Sequence, residues 1–208
     1  IGVLGGPTFA HELMSDQPAG ALVASRFDEV ADTLNALFEG GALRVYTGKD
    51  VVGTEVAGAF RNVIALAAGI TDGVGFGDNA KSLILTRGLS EMARLGVAMG
   101  GNVLTFGGLA GVGDLLSACA SQRSVNLEVG RRLAKGEELE AILESTPTTP
   151  ECVPTTRAVK RYARAMGLEL PIASALHALL FEGASVSDAV NEVLSTPVGP
   201  ELAALRGG

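Results

Sequence analysis

The sequence predicts a short α/β layer followed by an all-helical region, and two observations carry that reading. Over residues 1–50, short apolar runs alternate with a helix-spaced segment, the strand–helix–strand rhythm of an α/β layer. Beyond Gly48-Lys49-Asp50, over residues 51–208, every long segment spaces its apolar residues three and four apart, as one helix face does. The chain has 208 residues, 47% of them hydrophobic and 19% charged, enough to build a full core and too apolar for a disordered chain.

Each element follows from local signals. Ile1 to Leu4 reads as a buried strand and Gly5-Gly6-Pro7 as a turn. Thr8 is the expected cap of a helix over Phe9 to Met14. Ala21 to Ser25 and Leu43 to Tyr46 are further strands, separated by a helix from Phe27 to Phe38. Val51 to Ile70 is a helix apolar nearly all round. Its small residues Gly53, Ala57, Gly58 and Ala59 are expected to let neighbours approach closely. A helix from Asn79 to Met99 follows a cap signal at Asp78-Asn79. Shorter helices are expected at Leu115–Ala120, Val125–Ala134, Leu139–Leu143, Thr155–Met166, Ile172–Phe181 and Val186–Leu194. Pro171 and Ser187 fit the starts of the last two. Pro197 to Gly208 reads as a loose tail.

Composition narrows the function. Sixteen Lys and Arg against 23 Asp and Glu give a net charge of −7, which argues against nucleic acid or an anionic membrane as the main partner. Aromatics make up 4% with no Trp, so base-stacking platforms are not expected. The most apolar stretch carries Glu55, Arg61 and Asn62, which a lipid-spanning helix rarely tolerates. Two cysteines, Cys119 and Cys152, lack metal spacing and read as small buried hydrophobes in a reduced, cytoplasmic protein. His11 and His177 have no partners at ligand spacing, so no metal site is expected. No signal peptide is visible. The chain opens on an apolar run without Met, and is expected to be a fragment.

Local chemistry concentrates in few places. The stretches Gly73 to Asp78 and Gly107 to Asp114 are glycine-rich but match no nucleotide fingerprint. They read either as tight helix connections or as sites of close backbone approach to a ligand. Arg61-Asn62 puts a charge and an amide inside the most apolar helix, where each must be paired or face a cavity. Glu55 and Asp114 are the acidic candidates to pair with Arg61.

The ordered stretches Gly6-Pro7-Thr8-Phe9-Ala10, Gly58-Ala59-Phe60-Arg61-Asn62-Val63, Ala67 to Gly73, Gly77 to Lys81, Thr86 to Leu89 with Glu91-Met92, and Gly108 to Leu115 resemble the bacterial-type NAD(P)-dependent glycerol-3-phosphate dehydrogenases. The likeness runs from Val3 to about Leu194. It implies that residues 1–50 are the C-terminal part of a Rossmann dinucleotide-binding domain, whose first part with its glycine fingerprint is missing here. Residues 51–208 would be an all-helical substrate domain of the 6-phosphogluconate-dehydrogenase-like type. The implied reaction is hydride transfer between NAD or NADP and dihydroxyacetone phosphate or glycerol 3-phosphate, supplying glycerol 3-phosphate for phospholipid synthesis. A cytoplasmic homodimer acting on a phosphorylated three-carbon substrate is implied as well.

Carried over residue by residue, the resemblance makes Arg61 and Asp114 catalytic and Gly6, Thr8, Ser124 and Asn126 substrate-binding. It makes Glu151 a cofactor contact. Two positions depart from the family. Arg61 stands where the family has the lysine that donates and accepts the proton, and guanidinium stays protonated to above about pH 12. Val125 stands where the family has a phosphate-binding arginine, with Arg123 the nearest cation to reach the same space. These departures leave two alternatives beside the main reading: a divergent paralogue reducing another small ketone, and a non-catalytic family member.

Overall fold

A computed structural model describes residues 1–38, 41–197 and 199. The expected tail from Pro197 lies, apart from Pro197 and Gly199, outside the described residues. The N-terminal layer is a three-stranded sheet in the order β1 (Gly2–Gly5), β2 (Ala19–Ser25), β3 (Leu43–Gly48). β1 runs antiparallel to β2, and β2 runs parallel to β3 with Ala21 beside Val45 and Val23 beside Thr47. Helix α2 (Asp28–Phe38) makes the crossover a parallel pair requires and packs on β2 and β3. Ala21, Val23 and Ala24 are fully buried in the middle strand.

The remaining helices are α3 (Val51–Val74), α4 (Asp78–Ala98), α5 (Asp114–Ala120), α6 (Val125–Ala134), α7 (Leu139–Ser145), α8 (Cys152–Met166), α9 (Pro171–Phe181) and α10 (Val186–Ser195). α3 is the axis of this region and packs against α4, α5, α6 and α8. By length and composition it would cross a membrane, yet most of it is buried by its neighbours, and Val63 to Leu66 are wholly enclosed. Asp50 caps it by accepting from Gly53 N at 2.8 Å. The same carboxylate accepts from Asn102 N at 2.8 Å and Thr105 Oγ1 at 2.6 Å, fastening the segment after α4 to the start of α3. Burial works to raise this carboxyl, but the three donors outweigh it and hold Asp50 below the ordinary Asp value.

Of the small residues from Gly53 to Ala59, Gly53 meets a neighbour closely, since a Cβ on Gly101 would lie 2.9 Å from its Cα, but the tightest approach comes later along the helix. At Gly58 an added Cβ would meet nothing within 4 Å, whereas at Gly69 it would lie 2.0 Å from the Leu127 carbonyl of α6. Gly130 answers from α6, where a Cβ would lie 2.2 Å from the Leu66 carbonyl. The two backbones touch there, and only glycine lets them.

Three caps differ from expectation. Thr8 makes no cap; its Oγ1 donates to the Gly6 carbonyl, and the short α1 (Ala10–Leu13) starts from Phe9. α4 begins after Gly77 without a side-chain cap, so Asp78-Asn79 serves no such role. α10 is capped by Ser185 rather than started by Ser187, in a reciprocal capping box with Asp188. α8 and α9 carry no side-chain cap at their own N-cap positions. Glu91 on α4 supplies the cap of α9, accepting from Ile172 N at 2.7 Å and Ala173 N at 3.1 Å.

Candidate functional site

The site forms where α3, α5, α6 and the start of α8 meet. Arg61 lies in mid-α3, and its Nη1 donates to Asp114 Oδ1 at 2.9 Å, while Nε donates to the Gly58 carbonyl at 3.0 Å. Glu55, the other candidate partner, is exposed. Six residues advance a helix by about 600°, which puts positions 55 and 61 on different faces. Asp114 opens α5 with its side chain 6% exposed, against 28% for Arg61. Burial pushes the Asp114 carboxyl up to about 6 against the pull of the adjacent guanidinium. Arg61 is thus a cation fixed from behind by a nearly enclosed acid.

Asn62 is the node of a second set of bonds. Its Nδ2 donates to Glu151 Oε2 at 2.8 Å, and its Oδ1 accepts from Asn126 Nδ2 at 2.9 Å. Asn126 Oδ1 in turn accepts from Cys152 N at 2.9 Å, supplying the first turn of α8 with its missing cap. Because Glu151 and Cys152 are neighbours, these bonds close a ring joining α3, α6 and α8. Sequence reading singled out Arg61-Asn62 as a pair but missed Asn62 as the junction. The available signal was an amide inside an apolar helix, which has to be satisfied by something.

The ring lines a cavity of about 310 Å³, walled by Arg61, Asn62, Arg123, Asn126 and Glu151, with Phe9 reaching in from the α/β layer. That is the lower end of the roughly 300–1,000 Å³ typical of small-molecule sites. Ser124 and Val125 also line it, but the Ser124 hydroxyl is engaged in capping α6 through Leu127 N at 3.4 Å. Gly6 and Thr8 stand outside the wall, on the turn that carries Phe9 to it. That turn packs on the segment before α5: Gly6 lies against Leu109, and Pro7 against Gly113. The segment Val103 to Gly113 is a 3₁₀ turn followed by a π-helical turn running into α5. A Cβ at Gly111 would lie 2.1 Å from the Phe106 carbonyl, so the close approach this glycine permits is to the protein's own backbone.

Other polar candidates lie elsewhere. His177 Nδ1 lies 3.0 Å from Glu182 Oε1 on α9, and His11 stands beside Glu12. Cys119 and Cys152 are buried and free, with burial pushing each thiol up to about 12, so neither is a nucleophile at neutral pH.

Comparison with known proteins gives the family. The family profile described as NAD-dependent glycerol-3-phosphate dehydrogenase C-terminus matches residues 50–191. A protein of Bacillus thuringiensis (strain Al Hakam) named glycerol-3-phosphate dehydrogenase (NAD(P)+) is 48% identical over 192 residues, covering 92% of this chain and 56% of the relative. The chain therefore spans about half the length of the curated relatives it matches. The crystal structure of glycerol-3-phosphate dehydrogenase from Coxiella burnetii superposes with a TM-score of 0.90 at 33% identity, over 93% of this chain and 60% of that one. That of the Saccharomyces cerevisiae enzyme gives 0.82 at 25% identity, over 91% and 58%. On the extent of the profile match, the chain belongs to the family of NAD-dependent glycerol-3-phosphate dehydrogenases, whose C-terminal region it carries.

Proposed function

We propose that this chain is the substrate-binding part of an NAD(P)-dependent oxidoreductase that interconverts dihydroxyacetone phosphate and glycerol 3-phosphate, the product serving phospholipid synthesis. The observation that carries the reading is the cavity walled by Arg61, Asn62, Asn126 and Glu151, with Asp114 buried behind Arg61. A three-carbon phosphate ester suits this volume, whereas a dinucleotide exceeds it. The cofactor would meet this chain at the rim, near Glu151 and Phe9, and when bound supplies or accepts the hydride.

The chain's own residues hold and polarise the substrate. Arg61, already fixed on Asp114 and Gly58, directs its remaining donors at the carbonyl oxygen that gains charge during reduction. It acts as a permanent cation and not as a proton shuttle, because guanidinium does not deprotonate in this pH range. Asn62 and Asn126 position Glu151 and the start of α8, and with them the cavity wall. Gly6 and Thr8 act through the turn that presents Phe9, and Ser124 acts through the first turn of α6. A cytoplasmic setting and a homodimeric assembly belong to the same proposal; the two free, buried thiols support the first.

The test is direct. The polypeptide of the complete reading frame is purified, and oxidation of NADH and NADPH is followed with dihydroxyacetone phosphate. Turnover is the expected result. Turnover only with another ketone marks a divergent paralogue, and cofactor binding without any turnover marks a non-catalytic member.

A further inference from the structure

The chain is acidic as a whole, but not evenly so. Its net charge is −7, yet α8 carries Arg157, Lys160, Arg161 and Arg164 and no Asp or Glu along its length. At 3.6 residues per turn these four fall on one arc of about 100°. That arc is clear of the face that buries Cys152, Thr156, Val159 and Ala163. Arg157, Arg161 and Arg164 are exposed, and Lys160 is half-buried. Elsewhere cations are matched to acids: Arg61 to Asp114, Lys81 and Arg131 to Asp72. Among the described residues, none of the four α8 cations has a carboxylate within ion-pair distance. Lys160 Nζ donates to the neutral Ser174 Oγ at 2.9 Å, and the Arg157 guanidinium lies 4.3 Å from the centre of the Phe181 ring. Both are held in place without being neutralised.

The other flank of the same exposed face is apolar. Ala158, Tyr162, Ala165 and Met166 follow the cations round the helix, with Tyr162 and Met166 each 40% exposed. Ala158 and Tyr162 also wall a hollow of about 330 Å³ with Val52, Ala59 and Met99, so the apolar surface continues from α8 onto α3 and α4. At the seam between the flanks, the Arg161 guanidinium lies 5.3 Å from the centre of the Tyr162 ring.

We propose that this face of α8 docks on an anionic phospholipid surface, with the cations at the headgroup phosphates and the flank of Tyr162 and Met166 in the interfacial layer. A basic stripe alone would suit any polyanion. The apolar flank beside it decides for lipid, because a bilayer interface offers anionic headgroups and acyl surface side by side. Arginine stems lie along apolar surface while their heads reach phosphate, and a tyrosine with an apolar ring and a polar tip suits that depth. The acidity of the rest of the chain confines the contact to this face and keeps it reversible. Glu151, in the cavity wall, precedes α8, and a rise of 1.5 Å per residue puts Arg164 about 20 Å further along the axis. The inference goes beyond the proposed reaction and does not depend on it.

The experiment is co-sedimentation of the complete protein with vesicles of phosphatidylcholine alone and of equal parts phosphatidylcholine and phosphatidylglycerol. Binding is expected to the mixed vesicles at low salt, with none to phosphatidylcholine and loss at high salt. Arg157→Gln/Arg161→Gln/Arg164→Gln is expected to bind roughly a hundredfold more weakly, at about fivefold per arginine, with an unchanged thermal midpoint. The control Arg26→Gln/Arg44→Gln/Lys49→Gln removes as many exposed charges from the α/β layer and keeps wild-type binding. Tyr162→Ser weakens binding to vesicles and leaves binding to polyglutamate and to a short DNA duplex as it was. Wild-type protein that does not sediment with the mixed vesicles overturns the inference. Equal losses in the two triple variants overturn it too, because they mark net charge and not the stripe. Tighter binding to polyglutamate or the duplex than to vesicles, with Tyr162→Ser without effect, marks a polyanion site and overturns it. A changed mass in solution for the α8 variant also overturns it, as the mark of a contact between copies. Should the triple variant not fold, Arg164→Gln decides alone: about fivefold weaker binding upholds the inference, and unchanged binding overturns it.

Discussion

The two ends of the α3–α6 contact differ in kind. At the far end, Gly69 and Gly130 bring the helix backbones into contact, with Gly73 set against Arg131 and Ala134. At the near end a side-chain bond joins the same two helices, Asn62 to Asn126, and an open cavity lies beside it. Both helices run in the same sense, and the glycine contact is the pivot on which α6 is held against α3. The comparison teaches how a chain this apolar makes a polar site. Tight packing at the pivot fixes α6 on α3, and Arg61, Asn62 and Asn126 are held beside the cavity about two turns earlier along α3 and at the start of α6.

The largest effect expected is therefore at the pivot. Gly69→Ala places a methyl against a backbone carbonyl that has nowhere to move. Overpacking of this kind costs about 3 kcal/mol, or roughly 6–12 °C in midpoint for a chain of this size. Thermal unfolding checks it, and the site should loosen in step, read as weaker glycerol 3-phosphate binding at temperatures where the variant is still folded. An unchanged midpoint would remove the pivot.

At the open end, Arg61→Lys is expected to raise kcat by roughly ten- to a hundredfold. A lysine in that place can give up and regain a proton, as general acid–base catalysis requires. The diagnostic sign is a new limb in the pH–rate profile that the wild-type protein lacks. A fall in rate with no new limb would mean that a fixed cation at this position does more than a transferable proton.

Much of this architecture was legible in the sequence. The shift from strand–helix alternation to helix spacing marked the change at Asp50, and the apolar periodicity placed all the long helices. What could not be read was anything supplied from far along the chain. Asp114 is remote in sequence from Arg61, and only its packing on α3 selects it over Glu55. Asn126 caps α8 and Glu91 caps α9 across helix interfaces, while Thr8, Asp78 and Ser187, read as start signals of other helices, make no cap: α1 and α4 start without one and α10 uses Ser185. A search for local capping residues finds no trace of a cap donated by a neighbour. The site residues carried over by resemblance mix wall residues, such as Arg61 and Asn126, with supports outside the wall, such as Gly6 and Thr8, because a motif records both without distinction.

Buried acids on the two sides of the molecule give the next effect. Burial pushes Glu91 from 4.5 to about 7, and Asp114 from 3.8 to about 6. Each carboxyl therefore binds its proton more tightly in the folded chain than in the unfolded one. Stability falls as pH rises through about 4.5–7 for Glu91 and about 3.8–6 for Asp114. Asp72 is shifted the other way: burial raises it, but Lys81 and Arg131 outweigh that and lower it, so its contribution is lost as pH falls below 3.8. Unfolding free energy is expected to be greater at pH 5 than at pH 7.5, by about 1–2 kcal/mol. In Glu91→Gln the slope above pH 6 should flatten. If denaturant titrations find that slope unchanged in Glu91→Gln, the cross-helix cap of α9 is not where the proton binds.

The smallest effect is the sharpest comparison, because it repeats the pivot substitution three turns earlier on the same helix. Gly58→Ala adds the same methyl as Gly69→Ala, in the same secondary structure, but into a place where nothing lies within 4 Å. With no clash to resolve, what remains is the backbone entropy that glycine loses in a helix interior, and alanine recovers about 0.5–1 kcal/mol of it. The midpoint should rise by roughly 1–4 °C. The Gly58 carbonyl still accepts from Arg61, since the substitution leaves the backbone in place. Two identical changes on one helix are thus expected to move stability in opposite directions. A drop in midpoint for Gly58→Ala would mean that the space beside Gly58 is filled in solution as tightly as that at the pivot.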